Sequence, residues 1–202
     1  FEIRDKPYTD IMLKSHLGTG KSTIIKQLIK KHKFESILVI SPRVMFGNSI
    51  YSEFLEVEHR FKFYKEIKKE DRIKHDFMVC QLESLTTLKD KYQLVILDEI
   101  ESILNQFHSS TMTTNIDKIS LKFHSILTNA KFVVSADAFI MDRSVDVLNT
   151  IRPNKHKLYI ENTFNPYKRT CFKMGNTSDK LTKCLLNDIN KYPKDRRVII
   201  TG

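Results

Sequence analysis

Two short stretches hold residues whose types and spacing could do chemistry together. The first is "SHLGTGKST", from Ser15 to Thr23, in which Gly18 and Gly20 flank Thr19 and are followed at once by Lys21 and Ser22. Glycines allow positive φ and close backbone approach, so successive amides can turn toward one anion. A helix opening near Lys21 would add the positive end of its dipole. The chemistry is phosphate binding. Ser15, His16, Leu17, Gly18, Thr19, Gly20, Lys21, Ser22 and Thr23 would wrap a nucleoside triphosphate. Lys21 would reach the β- and γ-phosphates, and the Ser22 hydroxyl would ligate Mg²⁺. The spacing fits the phosphate-loop pattern G-x-x-x-x-G-K-[ST], except that Ser15 takes the place of the first glycine.

The second stretch is "LVILDEIES", four apolar residues followed by Asp98 and Glu99. A strand ending in an aspartate puts that carboxylate at the sheet's C-terminal edge, where open α/β sheets bind ligands. Asp98 would hold Mg²⁺ through water, and Glu99 would orient and deprotonate the attacking water. Capping of the helix that follows is the alternative use of such a pair. Lys21 in the same chain favours hydrolysis.

These groups need a sheet to bring them together. Near-continuous apolar runs at 11–14, 36–41, 76–81, 92–98 and 131–136 read as strands buried on both faces of a parallel sheet. Amphipathic segments at 22–32, 44–57, 99–106 and 116–128 read as the intervening helices, with Ile24, Ile25, Leu28 and Ile29 forming one stripe. The alternation predicts an α/β domain over residues 1–165. From about residue 152 the texture changes. Strands at 157–161, 168–173 and 196–201 and a helix at 179–191 make residues 166–202 a linker and the opening of a truncated second domain.

Composition sets outer bounds. The chain has 202 residues, 41% of them apolar and 29% charged, which suits a globular protein. No apolar run nears the roughly 20 residues a bilayer crossing needs. The opening "FEIRDKPYTD" has no initiator Met and no signal-peptide character, so the sequence reads as a piece of a longer protein. Cys80, Cys171 and Cys184 are odd in number and far apart, which predicts a reducing intracellular compartment. The seven histidines are dispersed, and no protein-held transition metal is expected. A net charge of +10 suits a polyanionic partner, or Lys-rich solvated faces. The basic run at 62–75 interleaves Phe63 and Tyr64 with lysines. Its acidic and apolar interruptions favour an exposed connector or edge over a single-strand site.

The acidic signature brings in a family. The sequence resembles superfamily 2 helicases, specifically those of the herpesvirus origin-binding protein type and related large-DNA-virus replication helicases. The likeness rests on "LKSHLGTGKST", "VISPRVMFGNSI", "VCQLESL", "LVILDEIESIL" and "FVVSADAFIMDRSVDVL", in the expected order over roughly residues 11 to 150. Ser15 in place of glycine matches the helicase variant A-x-x-G-x-G-K-[ST], in which Ala or Ser is tolerated there. The resemblance implies a RecA-like P-loop NTPase lobe that uses ATP and Mg²⁺. By the same resemblance it would act on single-stranded or forked DNA, alongside other replication proteins, in the cytoplasm or nucleus of an infected cell.

It also implies DNA-facing roles for Arg43, Gln81 and Ser84, and a role for Ser135 and Asp137 in coupling γ-phosphate state to DNA grip. Each has a local alternative. Arg43 could cap a helix, Gln81 and Ser84 could bond their own turn, and Asp137 could be an N-cap. No adenine-selective motif is apparent, and Pro7-Tyr8 is a candidate for stacking on the base. Arginine fingers from a second lobe would complete such a site. Arg196-Arg197 read as a basic strand edge, so this chain alone is expected to bind nucleotide weakly, hydrolyse it poorly and leave duplexes intact. A nucleotide-gated DNA-binding module is the main alternative. A kinase is disfavoured by Asp98-Glu99, and a GTPase by the lack of an N-K-x-D guanine motif.

Overall fold

The structure, a computed structural model, describes residues 8–108 and 115–164, with Lys183, Leu186, Asn187, Asn190 and Lys191 beyond them, all five helical. Chain contacts divide it into Phe1–Pro166 and Tyr167–Gly202. The expected strands at 168–173 and 196–201, together with Pro7, Cys171, Cys184, Arg196 and Arg197, lie outside the described residues.

In the first unit the chain alternates strand and helix: β1 (Asp10–Ser15), α1 (Lys21–Lys31), β2 (Ile37–Ser41), α2 (Val44–Leu55), β3 (Lys62–Phe63), β4 (Phe77–Gln81), β5 (Leu94–Asp98), α3 (Ile100–Gln106), α4 (Ile116–Asn129), β6 (Phe132–Asp137), α5 (Asp142–Ile151) and β7 (Lys157–Asn162). The strands form one sheet in the order β3-β4-β2-β5-β6-β1-β7. Every pairing is parallel. Helices cover the faces, so β2 is buried at all five positions. That is why its sequence shows no alternation. The edge strand β7 does alternate, with Tyr159 and Glu161 exposed.

The helix at the phosphate loop buries Ile25 and Ile29. Ile24, expected on that stripe, is 47% exposed. The buried face centres on the i, i+4 pair, and Ile24 falls a full 100° to one side. The run at 62–75 is an edge, as expected: β3, then 3₁₀ turns at 64–66 and 69–74. Its aromatics face inward. Phe63 stacks on Tyr51, and Phe63 and Tyr64 are both buried, leaving the lysines outside. Rings so placed offer nothing for a base to stack on.

Two features were not foreseen. The helix α5 went unrecognised because its buried face starts from Ser144, not from an apolar residue. Beneath it, fully buried Arg152 donates from Nε and Nη2 to Asp10 at 2.8–3.0 Å, and from Nη1 to the Ala130 carbonyl at 2.8 Å and to that of Leu127. One guanidinium thereby joins the start of β1 to the C-terminal end of α4, where a cation is favoured. No helix among the described residues is long and apolar enough to cross a membrane.

Candidate nucleotide-binding site

The loop between β1 and α1 turns on two left-handed glycines, Gly18 at φ 71° and Gly20 at φ 90°. Gly20 is the N-cap of α1, and its carbonyl accepts the first helical bond, from Ile24 at 3.0 Å. The turn is held from inside. The Thr19 hydroxyl donates to the His16 carbonyl and also bonds the Ser15 hydroxyl. Asn162 of β7 donates to Ser15 Oγ at 3.1 Å. Ser15 is buried, and that hydroxyl is what a glycine at this position would lack. Lys21 Nζ lies against the loop, donating to the carbonyls of Ser15 at 2.6 Å and His16 at 3.3 Å. Leu17, Gly18 and Thr23 are exposed, and Ser22 is half-buried in the first turn of α1.

The acidic tip of β5 meets this loop across a single strand. Lys14 of β1 is in register with Asp137 of β6, and Asp98 is in register with Ala136. Two inter-strand spacings amount to about 9–10 Å. Lys21 is close enough to be felt by both acids. Burial, then repulsion from Glu99, pushes the Asp98 carboxyl up to about 7, with Lys21 pulling the other way and Asp137 adding to the rise. Glu99 is raised as well, first by burial and then by Asp137, again opposed by Lys21. Asp98 and Glu99 thus lie one strand away from the loop that carries Lys21. An acidic strand tip, the Ser22 hydroxyl and a glycine cradle on one edge are oxygen donors that fit a divalent cation carried in with phosphates.

Glu99 occupies the N-cap position of α3, but its side chain makes no capping bond. Among the described residues it alone, glycines aside, has a positive φ, of 60°. Its amide donates to the Ala136 carbonyl at 2.8 Å. The cap comes instead from Asp137, whose carboxylate accepts the amides of Glu101 and Phe139, each at 2.9 Å. Asp137 is therefore a cap, but for a helix on another strand as well as for its own turn. Beside it Ser135 Oγ is buried and has no hydrogen-bond partner.

The residues expected to meet DNA are placed less uniformly. Arg43 is exposed at the N-cap position of α2, without a side-chain capping bond. It follows β2, so it lies on the same sheet edge as the loop. Gln81 ends β4 on that edge, and its Oε1 accepts the Tyr64 hydroxyl. The Ser84 hydroxyl donates to the Gln81 carbonyl at 2.7 Å, within its own turn, and the residue is 7% exposed.

Glu101 was missed by sequence reasoning. It is 6% exposed, and its carboxylate accepts from Met141 N at 2.8 Å, Arg143 Nη2 at 2.9 Å and the Ser144 hydroxyl. A glutamate on the apolar stripe of α3, beside Ile100, Ile103 and Leu104, was the signal that could have exposed it.

Comparison with known proteins bears on the whole chain. The family described as "Origin of replication binding protein" matches residues 6–197. The replication origin-binding protein of human herpesvirus 6B is 34% identical over 155 residues, 76% of this chain and 20% of that protein. A candidate helicase/primase complex protein of African swine fever virus is 24% identical over 200 residues, 94% of this chain and 18% of the relative. The chain thus spans about a fifth of the length of these relatives. Among solved structures, a DEAD box protein from Methanococcus jannaschii matches with a TM-score of 0.56 and 15% identity, over 77% of this chain and 45% of that one. That likeness is one of fold, and the fold is RecA-like.

Proposed function

The chain belongs to the origin of replication binding protein family, and from that premise we propose that it is the ATP-binding lobe of a DNA helicase acting in viral replication. The observation that supports the reading is that the phosphate loop follows β1 and the Asp98-Glu99 tip ends β5 on the same sheet edge, with only β6 between them. In this reading the amides of residues 15–23 and the Lys21 ammonium hold the β- and γ-phosphates. Ser22 and Asp98 hold Mg²⁺, which when bound neutralises charge on the phosphate oxygens. Glu99 takes a proton from the water that attacks the γ-phosphorus; its raised proton affinity makes it a stronger base than an ordinary glutamate.

Asp137 and Ser135 then couple the state of the phosphates to the loop that follows β6. Arg43 meets the backbone of a single-stranded or forked DNA, and Gln81 and Ser84 shape the turn beside it. Residues 166–202 lead into a second RecA-like lobe that supplies arginine fingers. Closing and opening of the two lobes moves the strand, with other replication proteins as partners in the infected cell.

The test has two parts. Lys21→Ala in this chain abolishes nucleotide binding measured with a fluorescent ATP analogue. Retained binding would show that the loop has another use. Glu99→Gln in the full-length protein abolishes ATP turnover stimulated by single-stranded DNA while DNA is still held. Undiminished turnover would leave the DNA-binding module as the better reading.

A further inference from the structure

The loop between β6 and α5, residues 138–141, is held at both ends by one residue of another element. At its start, Asp137 binds the Glu101 amide at 2.9 Å. At its end, the Glu101 carboxylate binds the Met141 amide at 2.8 Å and the Ser144 hydroxyl, while Arg143 Nη2 pairs with its other oxygen at 2.9 Å. Arg143 also reaches Asn105 of α3 at 2.9 Å. The span so clamped presents Phe139 and Met141, 67% and 52% exposed, on the edge that carries the phosphate loop.

The same clamp acts backward on the acidic tip. Glu99 holds a left-handed backbone that L side chains avoid, and such a conformation persists only where neighbours over-determine it. Its own amide is fixed by Ala136, and the amide two residues on is fixed by Asp137. The carboxylate of Glu101, anchored on α5, keeps that second amide from swinging away. We propose that Glu101 is a positioning residue for hydrolysis: with Arg143 and Ser144 it holds the backbone of Glu99 in its productive form and ties that form to the 138–141 loop.

The inference rests on the helicase reading and adds regulation of the same site. It separates two quantities that a general loss of structure would change together. Nucleotide binding depends on the phosphate loop, which Glu101 does not touch, whereas proton abstraction depends on where Glu99 points. A misplacement of the order of 1 Å can cost roughly 100-fold in rate.

The experiment measures affinity for a fluorescent ATP analogue and single-strand-stimulated kcat in the full-length protein, for wild type, Glu101→Gln, Arg143→Gln, the double variant and Arg143→Ala. Each single variant should keep nucleotide affinity within about 3-fold and lose about 10- to 100-fold in kcat. The double variant, whose two amides can pair with each other, should recover part of that loss. Arg143 is partly exposed, so Arg143→Ala provides a folded reading if Glu101→Gln melts early.

Unchanged kcat in folded variants would overturn the inference, and so would parallel losses of affinity and kcat. A wild type with no turnover would overturn the helicase reading and this inference with it. An active wild type whose turnover ignores Glu101 and Arg143 would overturn the inference alone.

Discussion

Asp137 accepts the amide of Glu101 at 2.9 Å from the tip of a neighbouring strand, so α3 is capped by β6 and not by Glu99 at its own N-cap position. The arrangement frees the Glu99 carboxylate and puts a second negative charge beside it. Burial is the larger cause of its raised proton affinity, and Asp137 is the next.

Two effects should therefore separate at Asp137. Asp137→Ala leaves the amides of Glu101 and Phe139 without their acceptor and should lower stability by about 1–3 kcal/mol in urea unfolding. Asp137→Asn loses the charge and keeps one of the two acceptor oxygens, so it costs less stability than alanine. Glu99 then ionises at lower pH, and the acidic limb of the turnover–pH profile should move to lower pH. An acidic limb that moves upward, or stays fixed, would remove Asp137 from the electrostatics of Glu99.

Asp98 yields a stability prediction of opposite sign to that of an ordinary ion-paired carboxylate. Its carboxyl is raised from 3.8 to about 7. Between those values the folded chain keeps a proton that the unfolded chain has lost, so stability falls as pH rises through that window and levels off above it. The loss is roughly 4 kcal/mol at most, and less where solvent reaches the group. Asp98→Asn should flatten this dependence and make the chain more stable at pH 8 than wild type, while abolishing Mg²⁺-dependent nucleotide binding. Thermal melts from pH 5 to pH 8 on both chains check it. A wild type that gains stability over that range would contradict the assignment.

The central strands were legible because burial on both faces writes itself as unbroken apolar runs, such as Ile37–Ile40 and Leu94–Leu97. The two halves of the site were legible for a related reason, since each follows such a run at its C-terminal end. Glu101 and Ser144 were not. Their polarity argued for exposure, and what buries them is the partner each finds in the other across 43 residues of sequence. Asp10 and Arg152 were hidden by a still longer separation. A satisfied buried pair leaves no local pattern, whereas a helix or strand does.

That last pair can be probed directly. Arg152 and Asp10 are 0% and 2% exposed at their side chains. Removing one member leaves the other charged and buried, so Arg152→Met or Asp10→Leu alone should cost about 3–5 kcal/mol. Removing both together should cost much less, because the desolvation of both ions is relieved at once. Urea unfolding of the two single variants and the double variant gives the coupling. Costs that add without interaction would show that the guanidinium acts through its bonds to the Ala130 and Leu127 carbonyls instead.

The glycines separate backbone strain from side-chain crowding. At Gly20, φ is 90° and the nearest atom to an added Cβ is Thr23 Cβ, 4.0 Å away. Space is ample and the conformation is the obstacle. Alanine there costs roughly 1–2 kcal/mol if the turn is kept, and the chain can escape the cost only by turning the loop amides away from the phosphates. At Gly47 no such φ is required, but an added Cβ would meet Phe63 Cε2 at 3.1 Å, on the ring that stacks against Tyr51. Alanine there should lower the melting temperature through displaced packing, at about 1–3 kcal/mol, and leave nucleotide affinity alone. Gly20→Ala should do the reverse, lowering affinity by 10-fold or more, on the order of 1.4 kcal/mol, with a smaller effect on melting. If the two substitutions proved interchangeable in both assays, the loop's left-handed turn would have no part in holding phosphate.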